Sequence, residues 1–292
     1  MKFFLTESTR HLRRSLINQG SDIGRYETYA FADGERGYRL KEGVRGKSAA
    51  IIASVLPDPG SLFDLMALHC LLRENGTRER ALIIPYLGYA RQDRPNRKGE
   101  GSIGIMVVQL ILGLKASKLI LFDLHSERIR RAFGLAAVEI SPLPLFADAL
   151  AKDPPNVIVA PDAGSVHRAK EFANLLEPHP EVATIDKVRP RPNVAVGKRL
   201  HGNVRGKNAL IVDDMIDTGG TLSEAVKLVS QNGARSIRLA ATHGIFSRNA
   251  RESLSHLPVA QILVTNTLPQ IPSPKIRILD LTPLFLDVLT HV

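Results

Sequence analysis

The chain has 292 residues, 44% hydrophobic and 23% charged, with 39 Lys and Arg against 29 Asp and Glu for a formal net charge of +10. That length suggests about two domains and is ample for a core, no apolar stretch is long enough to span a bilayer, and the lone Cys70 excludes an internal disulfide framework and fits a reducing cytosol. With no Trp, 5% aromatic residues and no run of five Lys or Arg, a base-stacking platform is poorly supported, and the excess charge is read as the field around a polyanionic site.

The first segment, Met1 to Glu7, has too short an apolar run for a signal peptide. A helix is expected over 7–18. Residues 25–35 mix β-favouring side chains with Asp33-Gly34, most simply a hairpin turn. A buried strand over 49–55 leads through Pro57-Asp58-Pro59-Gly60 to a helix over 61–74. Cys70 lies in that helix and is expected to be a buried small hydrophobe. The strand over 81–87 runs into a basic, glycine-containing loop from Gly88 to Gly101. Loops at the carboxyl ends of strands bind ligands in open α/β sheets, although a solvated charge run has the same composition. A helix over 103–114 and a strand over 118–122 follow, ending in Asp123-Leu124-His125-Ser126. The imidazole there is either a metal ligand or a neighbour of a helix cap.

A helix over 127–133 and the link Ser141-Pro142-Leu143-Pro144 carry the chain into a second half with the same rhythm of strand, polar loop and helix. Helices are expected over 145–152 and 167–176, with strands over 156–160 and 183–186. The first of these strands ends in Pro161-Asp162-Ala163-Gly164-Ser165. The second ends in Lys187-Val188-Arg189-Pro190-Arg191-Pro192-Asn193, read as a mobile cationic flap. Later strands are expected over 236–241, 261–264 and 275–279, with a closing helix over 283–289.

The most informative stretch is Leu210 to Thr221. An apolar strand over 209–212 is followed by Asp213-Asp214-Met215-Ile216-Asp217-Thr218-Gly219-Gly220-Thr221 and then by apolar residues at helical spacing. The glycines allow a tight turn and close backbone approach, and the N–H groups of the helix start make Asp217 to Thr221 a phosphate cradle. Carboxylates repel phosphate, so Asp213 and Asp214 suit sugar hydroxyls or a metal. An EF-hand is excluded because the acids do not alternate and no Glu closes the loop.

Taken together, these loops resemble the ribose-phosphate pyrophosphokinase family over nearly the whole length. The resemblance is carried by Phe31-Ala32-Asp33-Gly34-Glu35, Tyr89-Ala90-Arg91-Gln92-Asp93-Arg94, Asp123-Leu124-His125, Pro161-Asp162-Ala163-Gly164, Asp186-Lys187, Arg191-Pro192-Asn193, Val212 to Thr221 and Ala241-Thr242-His243-Gly244. It implies an α/β fold of two phosphoribosyltransferase-like domains, 1–145 and 146–292, each a mainly parallel sheet flanked by helices. It further implies a cytoplasmic homo-oligomer acting on ATP and ribose 5-phosphate with magnesium (Mg2+). By the same resemblance, Asp33, Gly34 and Glu35 bind the adenine side of ATP across a subunit interface, and Arg91 and Gln92 bind ATP. His125 and Asp162 hold the magnesium-nucleotide. Lys187 and Arg189 are catalytic. Arg189, Asp213, Asp214 and Asp217, Thr218, Gly219, Gly220 and Thr221 form the ribose 5-phosphate site.

One segment and two single residues depart from the family pattern: Gly101-Ser102-Ile103-Gly104-Ile105 lacks a usual lysine, Ser165 replaces a common glycine, and Asn266 a common Asp. A nucleobase phosphoribosyltransferase shares the Asp213 to Thr221 loop but gives no reason for Arg91-Gln92 or Asp123-Leu124-His125. A non-catalytic regulatory or RNA-binding relative would account for the charge, but not for the retention of Lys187, Arg189 and Asp217 to Thr221.

Overall fold

Apolar runs such as Ala49-Ala50-Ile51-Ile52 and Leu82-Ile83-Ile84 leave no polar face, and they are buried on both sides of a parallel sheet. The computed structural model describes residues 1–188 and 197–291, without the side chains of 187, 188, 197 and 291. Two units emerge. One comprises 1–141 with the returning segments 267–269 and 282–292, the other 142–266 with 270–281.

The first unit opens with β1 (Lys2–Leu5), a 3-10 turn (Glu7–Leu12), α1 (Arg13–Asn18) and β2 (Asp22–Ile23). A hairpin of β3 (Tyr26–Ala30) and β4 (Arg36–Leu40) forms its own two-stranded sheet, as the Asp-Gly turn predicts. Then come β5 (Ser48–Ile52), α2 (Pro59–Glu74), β6 (Glu79–Ile84), α3 (Ile103–Gly113), β7 (Lys118–Phe122), α4 (Glu127–Phe133) and β8 (Val138–Ile140). The main sheet runs β2-β1-β5-β6-β7-β8 with every pairing parallel. Ala49, Ile51, Leu82, Ile84, Leu119 and Leu121 meet Leu65, Leu68 and Leu72 of α2 and Val107, Val108 and Ile111 of α3 in one apolar cluster. The closing helix Thr282–His291 belongs to this unit, and its buried Phe285 meets Phe122 edge to face at 6.3 Å.

Cys70 corrects one expectation. Helix α2 turns Leu65, Leu68, His69 and Leu72 inward, which leaves Cys70 on the outer face beside Arg73. An apolar neighbourhood in sequence does not fix which helical face a residue occupies.

The second unit contains α5 (Leu143–Leu150), β9 (Val157–Ala160), α6 (Val166–Asn174), β10 (Glu181–Val188), β11 (Gly197–His201), β12 (Asn208–Ile216), α7 (Gly220–Gln231), β13 (Ser236–Gly244), α8 (Ala250–Ser255), β14 (Gln261–Thr265) and β15 (Ile276–Leu279). Its sheet order is β11-β10-β9-β12-β13-β14-β15, antiparallel at β10–β11 and parallel elsewhere. Strand alternation divides the core. Val157, Val159, Ile211 and Leu239 share a cluster with Ala225, Val226 and Val229 of α7. Ile158, Ala160, Leu210 and Val212 share another with Phe146 of α5 and Phe172 of α6. From β9 the chain goes to β10 on one side and then to β12 on the other. The carboxyl ends of β9 and β12 therefore flank the point where strand order reverses, the ligand-binding position of open α/β sheets.

Candidate active site

At that reversal point β9 and β12 bring together three carboxylates and a hydroxyl. Asp162 Oδ1 accepts from the Ser165 backbone N–H at 3.1 Å and from Ser165 Oγ at 3.0 Å, capping the short 3-10 turn Ala163–Ser165. The same Ser165 Oγ lies 3.0 Å from Asp213 Oδ1 on β12, which also accepts from the Asp214 N–H at 3.0 Å. Burial pushes the Asp213 carboxyl from 3.8 up to about 7, and the charges of Asp214 and Asp162 act in the same direction. The backbone N–H of Asp214 and the Ser165 hydroxyl oppose the rise. Such crowding fits a site that receives sugar hydroxyls or a cation, both of which relieve it.

The cradle lies at the end of the same strand. Gly219 has φ 75°, where a side chain is strained, and a Cβ there would sit 3.4 Å from Leu254 of α8. Helix α7 starts at the next residue, with Ser223 N–H closing its first turn onto the Gly219 carbonyl at 2.8 Å. The first N–H groups of a helix have no intrahelical acceptor, so they are available to a phosphate. Thr218, Gly220 and Thr221 are exposed and Asp217 is half-buried, so the cradle is open to solvent.

A brace below the cradle has no signature in the sequence. The Asp217 carbonyl accepts from Ser247 N–H at 3.1 Å, and the Ile216 carbonyl accepts from Ile245 and Phe246 N–H at 2.9 and 2.8 Å. Phe246, at φ 52°, lies under the Arg251 guanidinium at 4.2 Å. Arg251 donates to Gln270 Oε1 at 2.7 Å, and Gln270 Nε2 donates to the Gly244 carbonyl at 2.7 Å. The turn after β13 is thereby fastened to the glycine loop after β12.

In the first unit, Arg91 and Gln92 are exposed in the loop leaving β6. Gln92 N–H donates to the Tyr89 carbonyl at 2.8 Å, and the Gln92 carbonyl accepts from Gly104 N–H at 3.0 Å. Gly104 is needed there, because a Cβ would lie 2.7 Å from the Tyr89 oxygen. His125 is exposed in the loop leaving the adjacent β7. Its neighbour Leu124 donates to Glu139 Oε1 at 2.8 Å, and Glu139 is held by Arg130 at 2.5 Å. The cap of α4 is Ser126, whose Oγ accepts from Ile129 N–H at 3.1 Å, so His125 does not itself cap the helix. Asp33, Gly34 and Glu35 stand exposed at the tip of the β3–β4 hairpin. There Gly34 has φ 93° and Glu35 N–H donates to Asp33 Oδ1 at 3.0 Å.

Asp162, Asp213, Asp214 and Asp217 to Thr221 thus gather at the carboxyl edge of one sheet, and Arg91, Gln92 and His125 at the carboxyl edge of the other. Lys187 lies near the end of β10, its backbone paired with Lys198 of β11. Arg189 and the rest of the expected flap, through 196, lie outside the described residues. Among the described residues no group of three His, Cys, Asp or Glu side chains could hold a metal by itself. Mg2+ commonly takes only one or two carboxylates together with substrate phosphates and waters, so a half-buried Asp162 fits such an ion.

Parallel sheets with an acidic strand end, a glycine turn and a helix start define a phosphoribosyltransferase-like α/β protein. Similarity to known proteins narrows this. Residues 1–113 match the family model for the N-terminal domain of ribose phosphate pyrophosphokinase, and residues 177–291 match that for the phosphoribosyl synthetase-associated domain. The chain is 34% identical to the ribose-phosphate pyrophosphokinase of Caldanaerobacter subterraneus, with 100% of this chain and 94% of the relative covered. It is 36% identical to that of Synechocystis, with 94% and 84% covered. The crystal structure of phosphoribosylpyrophosphate synthetase from Mycobacterium smegmatis superposes with a TM-score of 0.89 at 28% identity, covering 99% of this chain and 97% of that one. The chain belongs to the ribose-phosphate pyrophosphokinase family.

Proposed function

We infer that the chain transfers the β,γ-pyrophosphoryl group of ATP to the 1-hydroxyl of ribose 5-phosphate, giving 5-phosphoribosyl 1-pyrophosphate and AMP. The observation that carries this reading is the pairing, on one strand end, of a crowded acidic cluster with an open glycine-hydroxyl cradle. Full-length similarity to ribose-phosphate pyrophosphokinases supports it.

In this reading the 5-phosphate rests on the N–H groups and hydroxyls of Thr218 to Thr221, with Asp217 at the mouth of the turn. Asp213 and Asp214 accept hydrogen bonds from the ribose 2- and 3-hydroxyls and so fix the sugar ring. The 1-hydroxyl oxygen forms a bond to the β-phosphorus as the bond from that phosphorus to the AMP oxygen breaks, and the hydroxyl proton is released. Alignment and charge neutralisation govern such transfers more than covalent participation by the protein. Lys187 and Arg189 supply positive charge that counts most as the transition state spreads charge over the phosphoryl oxygens. Arg91 and Gln92 bind the nucleotide, and Asp33, Gly34 and Glu35 contact the adenine of a neighbouring subunit in a homo-oligomer. Asp162 in the second unit and His125 in the first are the residues that would hold Mg2+, which would supply further charge neutralisation.

Among the described residues no helix is long and apolar enough to cross a membrane, and a nucleotide-making role is consistent with the cytoplasm. Chromatography of a reaction containing ATP, Mg2+ and ribose 5-phosphate should show AMP and 5-phosphoribosyl 1-pyrophosphate in equal amounts. Consumption of added 5-phosphoribosyl 1-pyrophosphate with a free base, and no AMP from ATP, would instead identify a nucleobase phosphoribosyltransferase.

A further inference from the structure

We propose that Ser165 is a positioning residue that links Asp213 to Asp162 and thereby sets the affinity for ribose 5-phosphate. The assignment rests on the reading of Asp213 as a sugar-hydroxyl acceptor given above.

The hydroxyl of Ser165 is buried, with the residue 5% exposed, and lies 3.0 Å from Asp162 Oδ1 and 3.0 Å from Asp213 Oδ1. The first contact is local, three residues away, and the Ser165 N–H reinforces it at 3.1 Å. The second spans 48 residues and joins β9's loop to β12 where strand order reverses. The backbone N–H of Ser165 would hold Asp162 whatever residue stood at 165. Reaching Asp213 from this position takes the hydroxyl.

A serine hydroxyl carries a single proton and donates to one carboxylate at a time, so when it turns to Asp213 the Ser165 N–H is what keeps Asp162 held. With Asp213 Oδ1 engaged by Ser165 and by the Asp214 N–H, its rotation is restricted before any ligand arrives. Sugar hydroxyls bring further donors to the crowded carboxylates, and a carboxylate held in one orientation meets them at lower entropic cost. Glycine at this position would leave Asp162 capped through the backbone but Asp213 without its partner from the neighbouring strand's loop. The serine is therefore a device of this chain for sugar affinity, separate from the phosphate cradle.

Calorimetric titration of ribose 5-phosphate into the full-length protein with Mg2+ present tests this, alongside steady-state kinetics of the same proteins. A lost hydrogen bond to a charged group predicts about a tenfold higher Kd and KM for the sugar in both Ser165→Ala and Ser165→Gly. Turnover at saturating sugar should fall by less than about threefold, because the loss concerns binding. A residue that only supports the fold would lower melting temperature and kcat together and leave the sugar Kd unchanged. Folded Ser165→Ala and Ser165→Gly proteins that bind the sugar within about twofold of the parent would overturn the proposal. Failure of the parent itself to bind ribose 5-phosphate would be a different result: it would refute the functional reading, and this assignment with it.

Discussion

Replacing Asp213 by an asparagine should make the protein more stable while weakening its hold on ribose 5-phosphate. In the folded chain burial, with Asp214 and Asp162 adding repulsion, raises the Asp213 carboxyl from 3.8 to about 7. At about 1.4 kcal/mol per pH unit, that rise sets an upper value of about 4 kcal/mol for keeping the side chain ionised. The sign follows from proton uptake. A folded pKa above the unfolded one means the native state keeps its proton to higher pH, so its contribution is complete below 3.8 and is lost as pH rises through 7. An amide in place of the carboxyl carries no such penalty. In urea denaturation with EDTA present, Asp213→Asn should therefore gain about 2 kcal/mol more at pH 8.5 than at pH 5. Calorimetry should show at least tenfold weaker binding of ribose 5-phosphate, because a charged acceptor for its hydroxyls is gone. Equal gains at the two pH values would refute the electrostatic argument, and unchanged sugar binding would remove Asp213 from the site.

Other consequences can be measured separately. Gly219→Ala forces a Cβ into a left-handed conformation at φ 75°, 3.4 Å from Leu254, and should cost about 1–2 kcal/mol in urea denaturation; a change below about 0.3 kcal/mol would show that the loop does not hold that angle. His69 is buried and accepts from Arg80 Nε at 3.3 Å, and burial together with Arg80 and Arg73 lowers its pKa from 6.5 to about 4. Its contribution to stability should thus be lost as pH falls from 6.5 towards 4, by at most about 3 kcal/mol, and His69→Gln should flatten that slope. Lys187→Ala should reduce kcat by about 100-fold or more with the Kd for ribose 5-phosphate changed less than about twofold, and near-normal turnover would exclude Lys187 from the chemistry.

The parallel strands were legible because burial on both faces leaves continuous apolar runs. Residues 118–122 and 127–133 form elements at the predicted bounds, and strand 209–212 falls in the first half of the longer β12, which continues to Ile216. Short pieces lacked enough period to read. Lys2–Leu5 has four residues yet pairs with both β2 and β5, and Gly197–His201 is a strand by virtue of pairing with β10. Helix Ala250–Ser255 is too short to announce itself, although its Leu254 lies where a Cβ at Gly219 would come within 3.4 Å. The site divides in the same manner. Carboxylates, glycines and hydroxyls adjacent in sequence marked Asp213 to Thr221 as a candidate cradle. The Ser165–Asp213 bond and the Arg251–Gln270–Gly244 brace join residues distant in the chain, and no local pattern encodes them.

Which bond to phosphorus breaks is the most direct test of the chemistry. With ATP labelled on its γ-phosphorus, ribose 5-phosphate and Mg2+, the label should appear in 5-phosphoribosyl 1-pyrophosphate, with one AMP formed per product molecule. Label recovered in inorganic phosphate or in a ribose bisphosphate, with ADP as the partner product, would contradict the account.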